Sequence, residues 1–341
     1  MANWENKPHI LFIYTDYSTF VRQDFEILSK AYHVDKYRFR SSKKPLVFFW
    51  QMFLQFIFLA TKGWKYKMFF IWFADYHSLL PILFAKLFRQ KSLLVIGGYD
   101  VIRMKTLNYG AFCKKGRGFF TIHSMKQATI NLTVSNFVDR KVKYIAPKAR
   151  RELIYNAINF RNTNENQVEK EKIALTVGMI KDNTVFLRKG IDTFIETARR
   201  LPEYNFYVIG ANKELFDNIY GTNLPDNLHV IGFTDHDKLT EFYQRSKIYI
   251  QLSRMDTFCL AIAEAMYFDC VPIITNEGGM PEVTGKFGVK TNHDPDMIAQ
   301  TVEKWMKIEN PPKSRDYIIS KFDMRVREKN LLRIIKEIHG E

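Results

Sequence analysis

Residues 253–282 read SRMDTFCLAIAEAMYFDCVPIITNEGGMPE, and they place two carboxylates, Asp256 and Glu264, across the junction between a strand and a helix. KIYIQLS (247–253) predicts a buried strand, LAIAEAMY (260–267) a helix of good helix formers, and CVPIIT (270–275) the next strand. Together they make a βαβ unit. The turn Thr257, Phe258, Cys259, Leu260, read as the first turn of the helix, offers free backbone N–H groups and the positive end of the helix dipole, where a diphosphate sits well. Asp256 falls in the loop just before that turn. Glu264 falls one turn in, and because helical side chains lean toward the N-terminus it points back to the same place, able to accept hydrogen bonds from vicinal hydroxyls. A cap or dipole partner accounts equally well for Asp256 alone. Glu264 is harder to explain that way, because it lies among Ala261, Ile262, Ala263, Ala265 and Met266, where an unpaired carboxylate is costly. The pattern favours a ligand-holding role.

Upstream, KIALTV (172–177), YNFYVI (204–209) and LHVI (228–231) predict further strands with helices between them, and Gly178, Gly210 and Gly232 each come directly after one. In such sheets that edge is where ligands bind. The N-terminal half shows the same alternation. Strands are predicted at His9–Tyr14, Met68–Phe73, Ser92–Ile96, Asn131–Ser135 and Lys143–Ala146, with a helix at Asp24–Tyr32. Asn159–Glu171 is polar and reads as a linker. The expected organisation is therefore α/β, with two doubly wound domains at 1–165 and 166–323. The closing Met324–His339 reads as a basic helix.

The chain's 341 residues suit two ordinary domains rather than one core. Cys113, Cys259 and Cys270 form no metal-ligand spacing and are odd in number, which points to a reducing compartment, and MANWENKPHILFIYTD lacks the features of a secretory signal. A cytoplasmic location is expected. Charge is divided unevenly: residues 1–161 hold 27 Lys and Arg against 9 Asp and Glu, while the remainder hold 24 against 27. No nucleic-acid module accompanies the basic half, so an anionic membrane or glycolipid is expected there and nucleic acid is not. LVFFWQMFLQFIFLA (46–60), flanked by Lys43, Lys44, Lys62, Lys65 and Lys67, falls short of the ~20 residues of a spanning helix. A core helix and a helix lying at a membrane interface are both open, the second making the protein peripheral at the inner membrane face.

With these residues in view, the chain resembles the retaining GT-B glycosyltransferases of family 4, the glycosyl transferases group 1. Seven residues separate Asp256 from Glu264, as in the family's paired glutamates, with aspartate replacing the first. EAM, VPIIT and GGMPE are similar to the phrases around that pair. VGMIKDNTVFLRKGIDTFI (177–195) is similar to the VGR and KG region, VSNFVDRKV (134–142) to the strand end before the linker, and Asn156-Ala157-Ile158 to the step that follows it. The resemblance implies two Rossmann-like domains facing a cleft, with the C-terminal helix (324–341) crossing back onto the first. It implies transfer of a sugar from a UDP-sugar or GDP-sugar to a glycan or lipid-linked acceptor. Retention, no required metal or cofactor, and a role in cell-surface polysaccharide or glycolipid synthesis are implied with it.

Carried over residue by residue, Glu264 binds ribose, Asp256 lies by the donor sugar, and Lys189 meets the diphosphate, with Arg188 beside it. Asp100 matches an aspartate of the acceptor domain. Apart from the resemblance, Gly178 and Gly210 are expected beside the nucleotide from their place at strand ends, and Phe233 is open between an aromatic platform for the base and a core ring. Three departures stand out. Met179 replaces the usual arginine, for which Lys181 or Arg188 would substitute. Gly97 replaces the histidine before the Gly-x-Asp step. Thr15-Asp16-Tyr17-Ser18-Thr19 replaces the double-glycine loop. His123 reads as a packed structural histidine rather than a stand-in. Gly97 and Met179 keep a second reading open, a catalytically degenerate GT-B protein that binds nucleotide-sugar or serves as a scaffold. A sugar epimerase or phosphorylase on the same fold is a third.

Overall fold

The computed structural model describes residues 8–42, 44–114, 116–159, 168–221 and 223–340. The chain divides into two compact units: Met1–Asn156 with Arg325–Glu341 form unit 1, and Ala157–Met324 form unit 2.

Unit 1 contains strands β1 (His9–Tyr14), β2 (His33–Arg38), β3 (Met68–Trp72), β4 (Lys91–Ile96), β5 (Ile130–Thr133) and β6 (Arg151–Leu153). They pair in the order β2-β1-β3-β4-β5-β6, every pairing parallel. Parallel strands need crossovers that cover both faces, so the central ones become continuous apolar runs. MFFIW of β3 is buried at every position, and four consecutive residues of β4, Leu93–Ile96, are fully buried. The C-terminal helix Met324–His339 belongs to this unit from Arg325 onward, burying Leu331, Ile334 and Ile335. Arg327 fastens it there. Its guanidinium makes a bidentate pair with the buried Asp24 carboxylate (2.6 and 2.7 Å) and donates to the Ile154 and Tyr155 carbonyls (3.2 and 2.6 Å).

Unit 2 contains β7 (Glu171–Ile180), β8 (Asn205–Ala211), β9 (Leu228–Ile231), β10 (Ser246–Gln251), β11 (Val271–Thr275) and β12 (Val289–Thr291), paired in parallel in the order β12-β11-β10-β7-β8-β9. The chain runs outward from β7 to β9, then returns to the other side of β7 with β10. Strand order therefore reverses between β7 and β10, the place where open α/β sheets take their ligands.

Several expectations are corrected. Lys143–Ala146 is no strand: Lys143–Ile145 is the last turn of the helix Asn136–Ile145, which the Ser135 hydroxyl caps by accepting from the Val138 N–H at 3.2 Å. The apolar pair Tyr144 and Ile145 gave a short run with no information on its period. The first helix begins at Thr19, not Asp24. Gly178 and Gly210 lie inside the ends of β7 and β8 rather than after them. Of the linker at Asn159–Glu171, residues 160–167 lie outside the described residues, and Glu171 already belongs to β7.

Candidate functional site

At the switch point of unit 2, the segments that leave β7 and β10 bring Lys189 and Asp256 together. Lys189 Nζ lies 2.7 Å from Asp256 Oδ2, and each side chain is only 14% exposed. Lys189 sits at a helix end. It closes the short helix Asn183–Lys189, and Gly190 follows in the left-handed conformation (φ 70°) as both its cap and the start of the next helix. Only glycine fits here, since a Cβ would stand 2.0 Å from the Leu252 carbonyl oxygen. That close approach fastens the lysine to the loop after β10. Arg254 reinforces it by donating its backbone N–H to Arg188 O (2.8 Å) and pairing bidentately with Asp192 (2.6 and 2.8 Å).

Asp256 is positioned from its other side by the GG of GGMPE. The Gly279 N–H donates to Asp256 O at 2.9 Å, and Gly278 (φ 66°) passes so close that a Cβ would lie 1.8 Å from the same oxygen. Burial alone would raise the Asp256 pKa. The Lys189 and Arg188 charges, the Lys189 hydrogen bond and the Phe258 backbone N–H together outweigh it and hold the carboxyl below its ordinary range. Lys189 shows the complement: burial pulls it down, and Asp256 more than restores it, so both groups are charged. Arg188 donates to Met255 O at 3.0 Å, which keeps a second cation beside the pair.

The helix carrying Glu264 spans Leu260–Tyr267, as its sequence predicts. Thr257, Phe258 and Cys259, read as part of its first turn, precede it: Cys259 caps the helix in the left-handed region (φ 66°, ψ 83°), unusual for a residue other than glycine. Phe258 is buried and packs edge-on against Phe322 (5.3 Å between centroids), so its ring belongs to the core and only its backbone serves the loop. Cys259 is buried too, and burial pushes its thiol up to about 12, which keeps it protonated and no nucleophile. It feels the charges of Lys189, Asp256 and Glu264, which places it among the three.

Glu264 accepts a hydrogen bond from the Tyr243 hydroxyl at 2.9 Å. Burial raises its pKa, opposed by that bond and by the nearby His236. Sequence reading missed Tyr243: a tyrosine 21 positions upstream in another helix carries no local signal, and only the packed fold brings it in. A polar row beneath the site was missed as well, in which Tyr249 donates to Gln251 (2.8 Å) and Gln251 to Ser253 (2.8 Å). The alternation of Tyr249, Gln251 and Ser253 along one face of β10 and the residues just after it was the available clue.

The remaining expected residues divide. Gly178 and Gly210 are neighbours on β7 and β8, and a Cβ at Gly178 would lie 3.6 Å from Lys189 Cε, so the lysine stem passes over it. Phe233 lies in the loop after β9 and is 86% exposed. Met179, in the place of the usual arginine, is exposed, and Lys181 is exposed as well.

Asp100 belongs to unit 1. Its carboxylate is buried there, accepting from the backbone N–H groups of Gly98 (2.7 Å), Ala74 (3.1 Å) and Gly97 (3.3 Å), and burial raises its pKa to about 6. Gly97 cannot be exchanged for the missing histidine without rearrangement, since a Cβ there would lie 2.2 Å from the Phe73 ring. His123 contacts Phe119 within its own helix (4.0 Å between ring centroids).

Unit 1 has its own switch point, between β1 and β3. Beside it lies a cavity of ≈ 540 Å³, polar in lining, edged by Asp16, Arg38, Arg40, Asp75 and Arg117. Arg117 is held by Asp75 and the Tyr99 hydroxyl, both at 2.8 Å.

Comparison with known proteins agrees with this architecture. Residues 159–322 match the family Glycosyl transferases group 1. One component of the phosphatidylinositol N-acetylglucosaminyltransferase of Arabidopsis thaliana is 28% identical over 129 residues, 36% of this chain and 29% of that protein's length. Among solved structures, sucrose-phosphate synthase from Thermosynechococcus elongatus superposes with a TM-score of 0.77 at 15% identity, over 98% of this chain and 100% of that one. Anabaena HepE, solved with UDP and glucose, gives 0.72 at 12% identity over 96% and 99%. The fold is GT-B.

Proposed function

We propose that the chain transfers a hexosyl group from a nucleotide-diphosphate sugar, with unit 2 holding the donor. The observation that carries this reading is the largely buried Lys189–Asp256 pair at the switch point, with Glu264 one helical turn away. A departing diphosphate needs fixed positive charge, and Lys189 and Arg188 supply it from a site already desolvated. Asp256, kept ionised, orients Lys189 and faces the sugar end. Glu264 accepts from ribose hydroxyls while Tyr243 fixes its rotamer. Retention at the anomeric carbon follows the family resemblance. That Anabaena HepE binds UDP and UDP-glucose favours a uracil donor over a guanine one.

Unit 1 would bind the acceptor. The three arginines around its cavity favour one bearing phosphate or carboxylate, a glycan or lipid-linked sugar used in surface polysaccharide or glycolipid synthesis in the cytoplasm. A second reading, donor binding without transfer, draws on the Phe73 ring crowding Gly97 and on Met179. Release of free nucleoside diphosphate from a panel of UDP- and GDP-sugars separates the two. Turnover lost in Asp256→Asn supports the enzyme, whereas saturable binding with no release for any donor, even with added lipid-linked sugars, supports the binding protein.

A further inference from the structure

The helix Pro45–Lys62 wears its polarity inside out. The stripe turned toward unit 1 holds Phe48, Gln51, Met52, Gln55, Phe58 and Leu59, and the buried Gln55 amide donates to the His77 carbonyl at 3.0 Å. The opposite face presents Leu46, Phe49, Trp50, Phe53 and Phe56, each more than half exposed. Ordinary surface helices place their polar residues outward. Trp64, just beyond the helix, packs on Phe88 (4.3 Å between ring centroids), and the helix Tyr76–Leu87 that precedes Phe88 carries two more exposed apolar residues, Leu83 and Leu87. An exposed apolar area of this extent marks a contact site.

Charge identifies the partner. Exposed Lys44 precedes the helix, Lys62 ends it, Lys65 and Lys67 follow, and Lys86 and Arg89 flank Phe88; of these Lys65 is paired with Asp35. An apolar, aromatic face framed by cations matches a lipid interface whose headgroups are anionic. We propose that unit 1 docks on an anionic phospholipid bilayer through this face. The run 46–60 alone reads as too short to span, but the helical segment Pro45–Lys65 that contains it is, by length and composition, long and apolar enough to cross a membrane. Its inner stripe is bonded into unit 1, however, so it lies along the bilayer with its aromatic rings in the interfacial layer. Arg40 and Ser41, which edge the unit 1 cavity, are four to five residues from Pro45, so the cavity stands within about 18 Å of the docked face.

The test is flotation of the full chain with vesicles of phosphatidylcholine alone or mixed with phosphatidylglycerol, beside light scattering of the free protein. Binding to the mixed vesicles should exceed binding to phosphatidylcholine by about tenfold or more and fall at high salt. Alkaline carbonate should release the protein. Phe49→Ser with Trp50→Ser and Phe53→Ser should abolish flotation with an unchanged melting temperature. Lys44→Glu with Lys62→Glu and Lys67→Glu, which leaves the apolar face intact, should abolish the lipid preference. Equal binding to both vesicles overturns the proposal, as does carbonate-resistant insertion. So does a protein that ignores both vesicles and is a dimer dissociated by the serine variant, which would mean that a second copy covers the face.

Discussion

Units 1 and 2 share six parallel strands and one strand-order reversal, yet they put buried charge to different uses. In unit 1 the most deeply buried ion pair among the described residues, Arg327 with Asp24, fastens the C-terminal helix, while at the switch point a more exposed pair, Arg117 with Asp75, edges an open cavity that Arg38 and Arg40 also line. In unit 2 the pair at the corresponding reversal, Lys189 with Asp256, is buried more tightly than Arg117 with Asp75 yet keeps some exposure. A pair buried out of reach of solvent can only be structural. A pair left partly open at a sheet's ligand edge is available to a substrate.

Removing one partner of each pair tests that contrast hardest. Arg327→Met strands a buried carboxylate and should destabilise the protein by about 3–5 kcal/mol in urea unfolding. Lys189→Met should cost about half as much, because water reaches Asp256, and should be largely repaired by adding Asp256→Leu. Equal costs would erase the distinction between the two pairs.

Next comes the backbone that shapes the unit 2 loop. Gly278→Ala forces a Cβ into the Asp256 carbonyl at positive φ and should cost about 3 kcal/mol. Gly232→Ala, whose Cβ would meet nothing within 4 Å, should stay within about 0.5 kcal/mol. Thermal melts of the two variants check this directly.

Unit 1 carries a pH signature of its own. Burial raises Asp100 from 3.8 to about 6, so its contribution to stability is fully present below the lower value and is lost as pH rises through the higher one. The loss should be on the order of 3 kcal/mol, read as a decline in stability across that window that Asp100→Asn flattens. The smallest effect is expected at Phe233→Ala, which, at 86% exposure, should alter stability by less than about 0.5 kcal/mol while weakening donor binding.

How far the sequence carried can be judged element by element. The helices Leu260–Tyr267 and Met324–His339 and the strands β1, β9 and β11 were legible to within a residue, because continuous apolar runs and strong helix formers leave little choice. The strands missed, β2, β6 and β12, are all sheet edges: HVDKYR, REL and VKT carry the polar residues that edges require and so lack an apolar run.

At the candidate site, the placement of Asp256 in the loop before the helix and of Glu264 within it was legible from spacing. That Lys189 meets Asp256 was not, because 67 positions separate them and the approach depends on Gly190 lying against Leu252. Nor was the left-handed Cys259, since no residue type announces that conformation there. The segment 46–60 was ambiguous for a definite reason: its composition is that of a core helix, and only the structure tells which face is left outside.

The central claim, that unit 2's switch point is a nucleotide-sugar site, is met most directly by calorimetric titration of UDP-glucose and GDP-mannose into the wild type, Glu264→Gln and Arg117→Gln. Saturable binding of one donor is expected, weakened by about tenfold or more in Glu264→Gln through loss of a charged acceptor, and unchanged in Arg117→Gln. Binding that survives Glu264→Gln intact, or that disappears in Arg117→Gln, would contradict it.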